Sequence, residues 1–223
     1  MLASPRSAHQ RRQAAPKAHN RGTRLPGEVL HVEEVRKLLQ ACNRGATGAR
    51  NRALIVLLWR AGLRTSEALS LKPADLDAVA GLVHVRRGKG GKPRSVGMDA
   101  EAFGAVDAWL AHRARLGVSA RAPLLCTLDG RPLDSGYCRA MLKRLARKAG
   151  LVRRVHLHGL RHSHAVELVR EGAPLPEVQA QLGHSSLAVT SRYLAHVTPR
   201  DLAERARRRP SWNVGRVGLE PRH

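Results

Sequence analysis

The sequence predicts a mainly helical α+β domain with a small three-stranded antiparallel sheet. Two observations carry this prediction. Apolar residues recur at helical spacing along most of the chain, and the period changes to two around the glycine-rich stretch RRGKGGKP. With 223 residues and a 43% hydrophobic fraction, the chain is long enough for one domain with a hydrophobic core.

The predicted helices before the sheet begin near Leu30. The apolar stripe of the first helix comprises Val32, Val35, Leu38, Leu39 and Cys42. A second helix, over about residues 50–61, is apolar enough to be the core helix, and it ends at Gly62, a residue type that caps helices. A short third helix follows from Thr65.

The predicted sheet is a hairpin with one added strand. Residues 82–85, LVHV, and 94–96, RSV, flank RRGKGGKP, whose glycines and cations predict a flexible, positively charged tip. Residues 75–77 are expected to add the third strand.

Helices resume at Asp99, with apolar stripes around Trp109 and around Met141. Three more helices are predicted at about residues 159–171, 174–182 and 199–209. The first two end at glycines. The third begins with the spacing of a capping box, from Thr198 to Asp201.

The charge balance points to a polyanionic partner. Lys and Arg number 40 against 17 Asp and Glu, a net charge of +23. Such a charge opposes compaction unless a polyanion binds, so double-stranded DNA or another nucleic acid is the first expectation and an anionic membrane surface the second. The longest apolar run, residues 53–59, is too short to span a bilayer.

The cysteines and the termini bear on localisation. Three scattered cysteines without a CxxC pair indicate a reducing compartment, and we expect a cytoplasmic protein. Residues 1–25 are basic and free of acids, which predicts a flexible arm. An organellar transit peptide is disfavoured because Pro5 and Pro16 interrupt that stretch. Residues 210–223 are expected to form an irregular tail.

Five stretches contain residues suited to chemistry. The candidates are Arg64, Lys89, His158, Arg161, His184 and Tyr193. Taken singly, each has an ordinary explanation as a surface cation, a structural histidine or a packing tyrosine. Tyr137, the other tyrosine, lies in an apolar helical stripe and is expected to have no comparable polar side chains near it.

Together the candidates suit phosphoryl transfer in a polyanion. Two arginines can hold the non-bridging oxygens of a phosphodiester, because each presents a fork of donors that keeps its proton. A tyrosine hydroxyl can attack phosphorus and form a covalent intermediate. A lysine on a mobile hairpin can protonate the departing oxygen, and a histidine can hold a proton near neutral pH. This chemistry requires no metal.

The motifs resemble those of the tyrosine recombinases, the phage-integrase and Xer-type site-specific recombinases. The matching stretches, in order, are GLRTSEALSL, GKGGKPRSV, HGLRHSHA, LGHSS and TSRYLAHV. The resemblance covers about residues 26–200. It implies DNA recombination or integration through a 3′-phosphotyrosyl intermediate, without cofactor, metal or ATP, by a homotetramer on paired DNA sites.

Residue roles follow from the resemblance. Arg64 and Arg161 correspond to the arginines that clamp the phosphate, and Lys89 to the general acid for the 5′ oxygen. His158 matches the first motif histidine, and His184 matches the second, which bonds and handles protons. Tyr193 corresponds to the nucleophile.

The resemblance also predicts the domain organisation. Residues 1–25 form the arm, 26–200 the catalytic domain, and 201–223 the end of the last helix and the tail. The last helix is expected to dock on a neighbouring copy or on DNA. Family members usually carry a separate N-terminal core-binding domain, and we expect this chain to lack it. A fragment of a longer reading frame is the alternative.

Three other functions share some of these sequence features. A zinc enzyme could use His158 and His162, but Gly159 stands where a zincin has its glutamate. A DNA-binding-only remnant, or accessory modulator of a full-length recombinase, explains the charge but not the complete catalytic set. A type IB topoisomerase shares the chemistry, yet LGHSS followed by Tyr193 is more typical of a recombinase.

Overall fold

The computed structural model describes residues 29–86 and 93–208. The predicted arm over residues 1–25, the hairpin tip with Lys89, and the tail over residues 210–223 lie outside the described residues. Within the described part, no helix combines the length and apolarity needed to cross a membrane.

The described residues form a mainly helical α+β fold, which confirms the predicted class. Two short 3-10 helices, Pro73–Asp75 and Arg192–His196, accompany the main elements. These elements are α1 (Val32–Ala41), α2 (Ala46–Trp59), α3 (Thr65–Ser70), β1 (Leu76–Asp77), β2 (Leu82–Val85), β3 (Arg94–Gly97), α4 (Ala100–Arg115), α5 (Ser135–Lys148), α6 (Leu157–Glu171), α7 (Leu175–Leu182), α8 (Leu187–Ser191) and α9 (Pro199–Arg207).

The core helix is α2, as predicted, although its ends differ from the prediction. It packs against α4 and α6 and is buried around almost its whole circumference. It begins at Ala46 rather than near residue 50, because Gly45, at φ 87°, turns the chain just before it. Its first turn contains no large apolar residue, so periodicity did not reveal it. The helix ends at Trp59, ahead of the predicted stop at Gly62.

A buried arginine of α2, Arg50, corrects the expectation for Tyr137. Arg50 is 3% exposed. Its guanidinium donates to the Tyr137 hydroxyl at 2.5 Å and to the Cys126 carbonyl oxygen at 3.3 Å. It also lies 5.2 Å from the centroid of the Tyr137 ring. The prediction that Tyr137 has no comparable polar side chains near it is therefore wrong.

The three strands form an antiparallel sheet in the order β1-β2-β3, with Val83 opposite Val96. Both valines are buried, which is the period-two pattern of a sheet with one face on the core. The third strand was expected over residues 75–77, but β1 covers only Leu76–Asp77 because Asp75 belongs to the preceding 3-10 helix. The Gln181 side chain of α7 bonds both the N–H and the carbonyl of Gly97, and thereby ties β3 to α7.

The C-terminal third forms a second apolar cluster, which joins α6, α7 and the Arg192–His196 turn. The His156 side chain caps α6 by accepting from the Gly159 N–H at 2.9 Å, so the helix begins at Leu157 rather than residue 159. The predicted capping box of Thr198 and Asp201 is confirmed at the start of α9. The short α8 and the 3-10 turn were not predicted.

Candidate active site

Arg64 caps α3 and is fixed by two partners. The N–H groups at the start of α3 lack helical partners, and Glu67, in the first turn, accepts a bond from the Arg64 backbone at 2.9 Å. The same carboxylate accepts from the Arg64 guanidinium at 2.6 Å. The guanidinium also donates to the carbonyl oxygen of Gly183 at 2.8 Å. The position and the orientation of the Arg64 guanidinium are therefore defined.

Arg161 lies in α6 and is 1% exposed. Its guanidinium donates to the carbonyl oxygen of Leu182 at 2.5 Å and to that of Gly62. Leu182 and Gly183 form the end of α7, where unpaired carbonyls and the helix dipole favour cations. Burial and the nearby Arg64 lower the pKa of Arg161 to about 10, so it stays charged at neutral pH.

Glu67 is the buried counter-charge of this site. It is 2% exposed, and it also receives two bonds from Arg94 of β3, at 2.8 and 3.0 Å. Burial alone would raise its pKa, but the hydrogen bonds and charges of Arg94 and Arg64 outweigh burial and hold the pKa at about 2. The carboxylate is thus ionised, and it links the strand after the hairpin tip to Arg64.

His184 follows the end of α7 directly. Gly183 turns the chain there at φ 61°, a left-handed conformation that favours glycine. The Nδ1 atom of His184 lies 3.1 Å from the Thr190 hydroxyl of α8. Burial, followed by Arg161 and Arg64, lowers the pKa of His184 to about 4, so the ring is neutral at pH 7.

Tyr193 lies in the 3-10 turn and is 7% exposed. Its hydroxyl is 2.9 Å from Nδ1 of His162. Its ring is nearly parallel to the His184 ring, at 18° and 6.3 Å between centroids. Burial raises the pKa of Tyr193, and Arg161 and Arg192 act against that effect.

His158 lies in the first turn of α6 and is exposed. Its ring meets the His162 ring edge-on, with centroids 4.2 Å apart. Because His162 in turn contacts Tyr193, the structure connects His158 to the tyrosine through one intervening ring. Within the described ranges, no group of three or more His, Cys, Asp or Glu side chains is placed to hold a metal ion.

The structure therefore brings together five of the six candidate residues, while Lys89 lies outside the described residues. Sequence reasoning missed Arg94, His162 and Thr190 as parts of this cluster. His162 is adjacent to Arg161 and four residues after His158, so helical spacing already placed it near their face. Arg94 and Thr190 carried no such signal, because only the tertiary fold brings them to Glu67 and His184.

This arrangement can bind and attack a phosphodiester. Two guanidinium groups lie at the end of one helix and suit the charge of a phosphate. A buried tyrosine hydroxyl lies beside a neutral imidazole, which can accept a proton. The site therefore combines an electrostatic clamp with a nucleophile and a base.

Comparison with known proteins gives a consistent result. The sequence profile described as the phage integrase family matches residues 28–200. Tyrosine recombinase XerC of Xanthomonas campestris pv. campestris (strain B100) is 35% identical over 188 residues, which is 83% of this chain and 57% of that protein. The chain thus spans less than two thirds of the length of this relative.

Solved structures show the same similarity. The crystal structure of XerA recombinase has a TM-score of 0.70 and 30% identity, covering 82% of this chain and 66% of that one. XerH site-specific recombinase bound to a palindromic difH substrate, in a post-cleavage complex, has a TM-score of 0.69 and 32% identity, covering 82% and 53%.

Proposed function

Because the chain belongs to the phage integrase family, we propose that it is a site-specific recombinase that cuts and rejoins DNA through a bond between Tyr193 and a 3′ phosphate. The family resemblance inferred from five motifs is confirmed over residues 28–200. The observation that carries the proposal is the placement of Arg64 and Arg161 on adjacent carbonyls, Gly183 and Leu182, beside the Tyr193 turn.

The proposed reaction begins with phosphate capture. A guanidinium has five N–H donors, and the carbonyl and Glu67 bonds leave donors of Arg64 and Arg161 for the two non-bridging oxygens. The charge that develops in the transition state is then met by groups already held in place, which is the main source of rate enhancement in such sites. His158 and His184 hydrogen-bond the same phosphate or handle protons during the reaction.

Strand cleavage exchanges one phosphodiester for another. The Tyr193 oxygen bonds to phosphorus, the bond to the 5′ oxygen breaks, and Lys89 delivers a proton to that oxygen. The phosphotyrosine conserves the energy of the broken bond, so the 5′ hydroxyl of a second strand can reverse the step. The proposed reaction requires neither ATP nor a metal cofactor.

A basic groove supports duplex DNA as the substrate. We define it by four exposed cations on α5 and the following loop, Arg139, Lys143, Arg147 and Arg154. Among the described residues, none of these four forms an ion pair with a carboxylate. His156, the N-cap of α6, also lines the groove, so a backbone bound there lies close to the start of α6, where His158 is located.

The proposal extends to assembly and location. A homotetramer on two DNA sites would pair the strands for exchange, and the exposed side chains of Leu187, Leu194 and Leu202 offer apolar surface for a neighbouring copy. Such a protein would act in the cytoplasm, where DNA is accessible.

The test is covalent capture. Nicked duplexes with a randomised core, in which the cleaved strand loses its short downstream piece, trap the phosphotyrosine. Wild-type protein should form an adduct that survives denaturing electrophoresis. Tyr193→Phe should abolish it, whereas Tyr137→Phe should retain it. A wild-type protein that retains DNA in native gels but forms no adduct would instead be a DNA-binding protein without recombinase activity.

A further inference from the structure

The nucleophile candidate has a side-chain partner that the motif residues do not include. Nδ1 of His162 lies 2.9 Å from the Tyr193 hydroxyl oxygen. This is hydrogen-bond distance, and it joins α6 to the 3-10 turn. Because Tyr193 is 7% exposed, its hydroxyl depends on protein partners rather than bulk water.

The other two histidines of the cluster contact Tyr193 differently. His184 lies alongside the tyrosine ring, nearly parallel to it, and its Nδ1 is bonded to the Thr190 hydroxyl. His158 contacts the His162 ring. Among the described residues, the hydrogen-bond partner of the Tyr193 hydroxyl is Nδ1 of His162. The tautomer of His162 decides which of the two groups donates.

We propose that His162 is a further catalytic residue, the base that accepts the phenolic proton of Tyr193. This inference rests on the proposed function. As the Tyr193 oxygen bonds to phosphorus, its proton moves to the Nδ1 lone pair of His162, and the bond from phosphorus to the 5′ oxygen breaks. The imidazolium so formed carries its second proton on Nε2. When a 5′ hydroxyl attacks in the rejoining step, His162 returns the proton to the departing phenolate oxygen.

The surroundings of His162 fit this role. Burial, with His158, His156, Arg161 and Arg192 around it, lowers the pKa of His162 to about 4. The ring is therefore neutral in the free protein, so one of its two nitrogens has a lone pair that can receive a proton, and the proposal assigns that lone pair to Nδ1. Binding of an anionic phosphate at Arg64 and Arg161 offsets those cations, so the imidazole becomes a stronger base when the substrate is present.

The first experiment reads the tautomer of His162 in the free protein. Nitrogen-15 labelling of histidine shows which ring nitrogen bears the proton, and the His162 signals are assigned by their loss in His162→Asn. We expect at pH 7 an unprotonated Nδ1 whose shift changes in Tyr193→Phe. A proton on Nδ1 would overturn the proposal, because His162 would then donate to the tyrosine and could not accept from it.

The second experiment separates the nucleophile from the leaving group. The substrate is the nicked duplex selected by adduct formation, prepared with oxygen or with sulfur at the bridging 5′ position, since a thiolate leaves without a proton. His162→Asn keeps a hydrogen-bonding group but cannot hold a proton, and it should slow cleavage about 100-fold or more with either substrate. The Lys89→Ala variant should cleave the oxygen substrate slowly, and the sulfur substrate should restore its cleavage rate.

The controls distinguish the possible failures. His112→Asn, in the last turn of α4, should cleave like wild type, and DNA binding of His162→Asn should stay within threefold. Cleavage by His162→Asn within threefold of wild type, or its rescue by sulfur, overturns the role of His162 while leaving the proposed function intact. Failure of the wild-type protein to form any adduct overturns both, independently of the tautomer result.

Discussion

Arg64 and Arg161 donate to the carbonyl oxygens of adjacent residues, Gly183 and Leu182 respectively. One arginine precedes α3 and the other lies in α6, so the end of α7 acts as a common anchor for both. Each guanidinium is positioned by acceptors that exist before any substrate binds. Pre-organised donors of this kind require no reorganisation when charge develops in a transition state.

Removal of either arginine should affect chemistry more than binding. Arg64→Ala and Arg161→Ala should each slow single-turnover cleavage about 100- to 1000-fold, the usual effect of losing one electrostatic stabiliser. DNA affinity, measured by gel shift, should fall much less. Arg121→Ala, an exposed arginine in the loop after α4, is the control. An equal loss of affinity and cleavage rate would show that the arginines act only in binding.

Glu67 should be important for stability because it holds two arginines in a buried position. Glu67→Gln keeps the shape but removes the charge, and it should lower the free energy of unfolding by about 3 kcal/mol. With a carboxyl pKa held at about 2, the stabilisation exists above pH 4.5 and disappears as the pH falls toward 2. Chemical denaturation at pH 7 measures the loss.

A surface ion pair provides the matched control for Glu67. Glu33 pairs with Arg36 at 2.7 Å, but both side chains are more than half exposed. Glu33→Gln should therefore change the free energy of unfolding by less than about 1 kcal/mol. Similar losses for the two variants would contradict the assignment of Glu67 as a buried counter-charge.

Gly183→Ala should disturb both stability and the site. The residue has φ 61°, and an added Cβ would lie 2.8–3.0 Å from the Arg94 side chain. We expect a loss of about 1–3 kcal/mol in the free energy of unfolding. Gly104→Ala lies in α4 with no atom within 4 Å of the added Cβ, and it should instead stabilise by up to about 1 kcal/mol. Thermal denaturation compares the two, and a stabilised Gly183→Ala would be inconsistent with this geometry.

Acid should destabilise the fold through buried histidines. His164 is 5% exposed, and burial, followed by the cations Arg60 and Arg161 and opposed by Asp99, lowers its pKa to about 4 from 6.5. Between these values the unfolded chain binds the extra proton, so the free energy of unfolding falls as the pH falls. His164→Phe should flatten this dependence by on the order of 3 kcal/mol. Parallel pH profiles for wild type and variant would refute the assignment.

The basic groove should set the salt dependence of DNA binding. If Lys143 and Arg147 each contact one phosphate, the double alanine variant should reduce the slope of log affinity against log salt by about 1.8. Arg115→Ala with Arg121→Ala removes two exposed cations elsewhere and should change the slope less. Equal slopes for the two double variants would place the duplex on another surface.

The fold class and several helix ends were predictable because they depend on local signals. The Thr198–Asp201 capping box and the glycines after α6 and α7 act within a few residues, and the structure places helix ends there. The first turn of α2 was missed because it has no apolar signal. The buried Arg50 was missed because its partners, Tyr137 and Cys126, are distant in sequence.

The candidate site shows the same contrast between features with a sequence signal and features that only tertiary packing creates. The motif residues indicated which side chains belong together, and the described ones do converge. The Arg94–Glu67 pair and the contact of His162 with Tyr193 could not be deduced, because a strand, a 3-10 turn and two helices create them only when packed. An arginine after a basic hairpin otherwise looks like a solvated surface cation.

The central claim is that Tyr193 becomes covalently linked to DNA, and peptide mapping of the trapped adduct tests it most directly. The adduct is digested with nuclease and protease, and the peptide that retains a nucleotide is identified by mass spectrometry. The nucleotide should be attached through its 3′ phosphate to the peptide containing Tyr193. Attachment at Tyr137 or at another side chain, or the absence of any nucleotide-bearing peptide from wild-type protein, would contradict the claim.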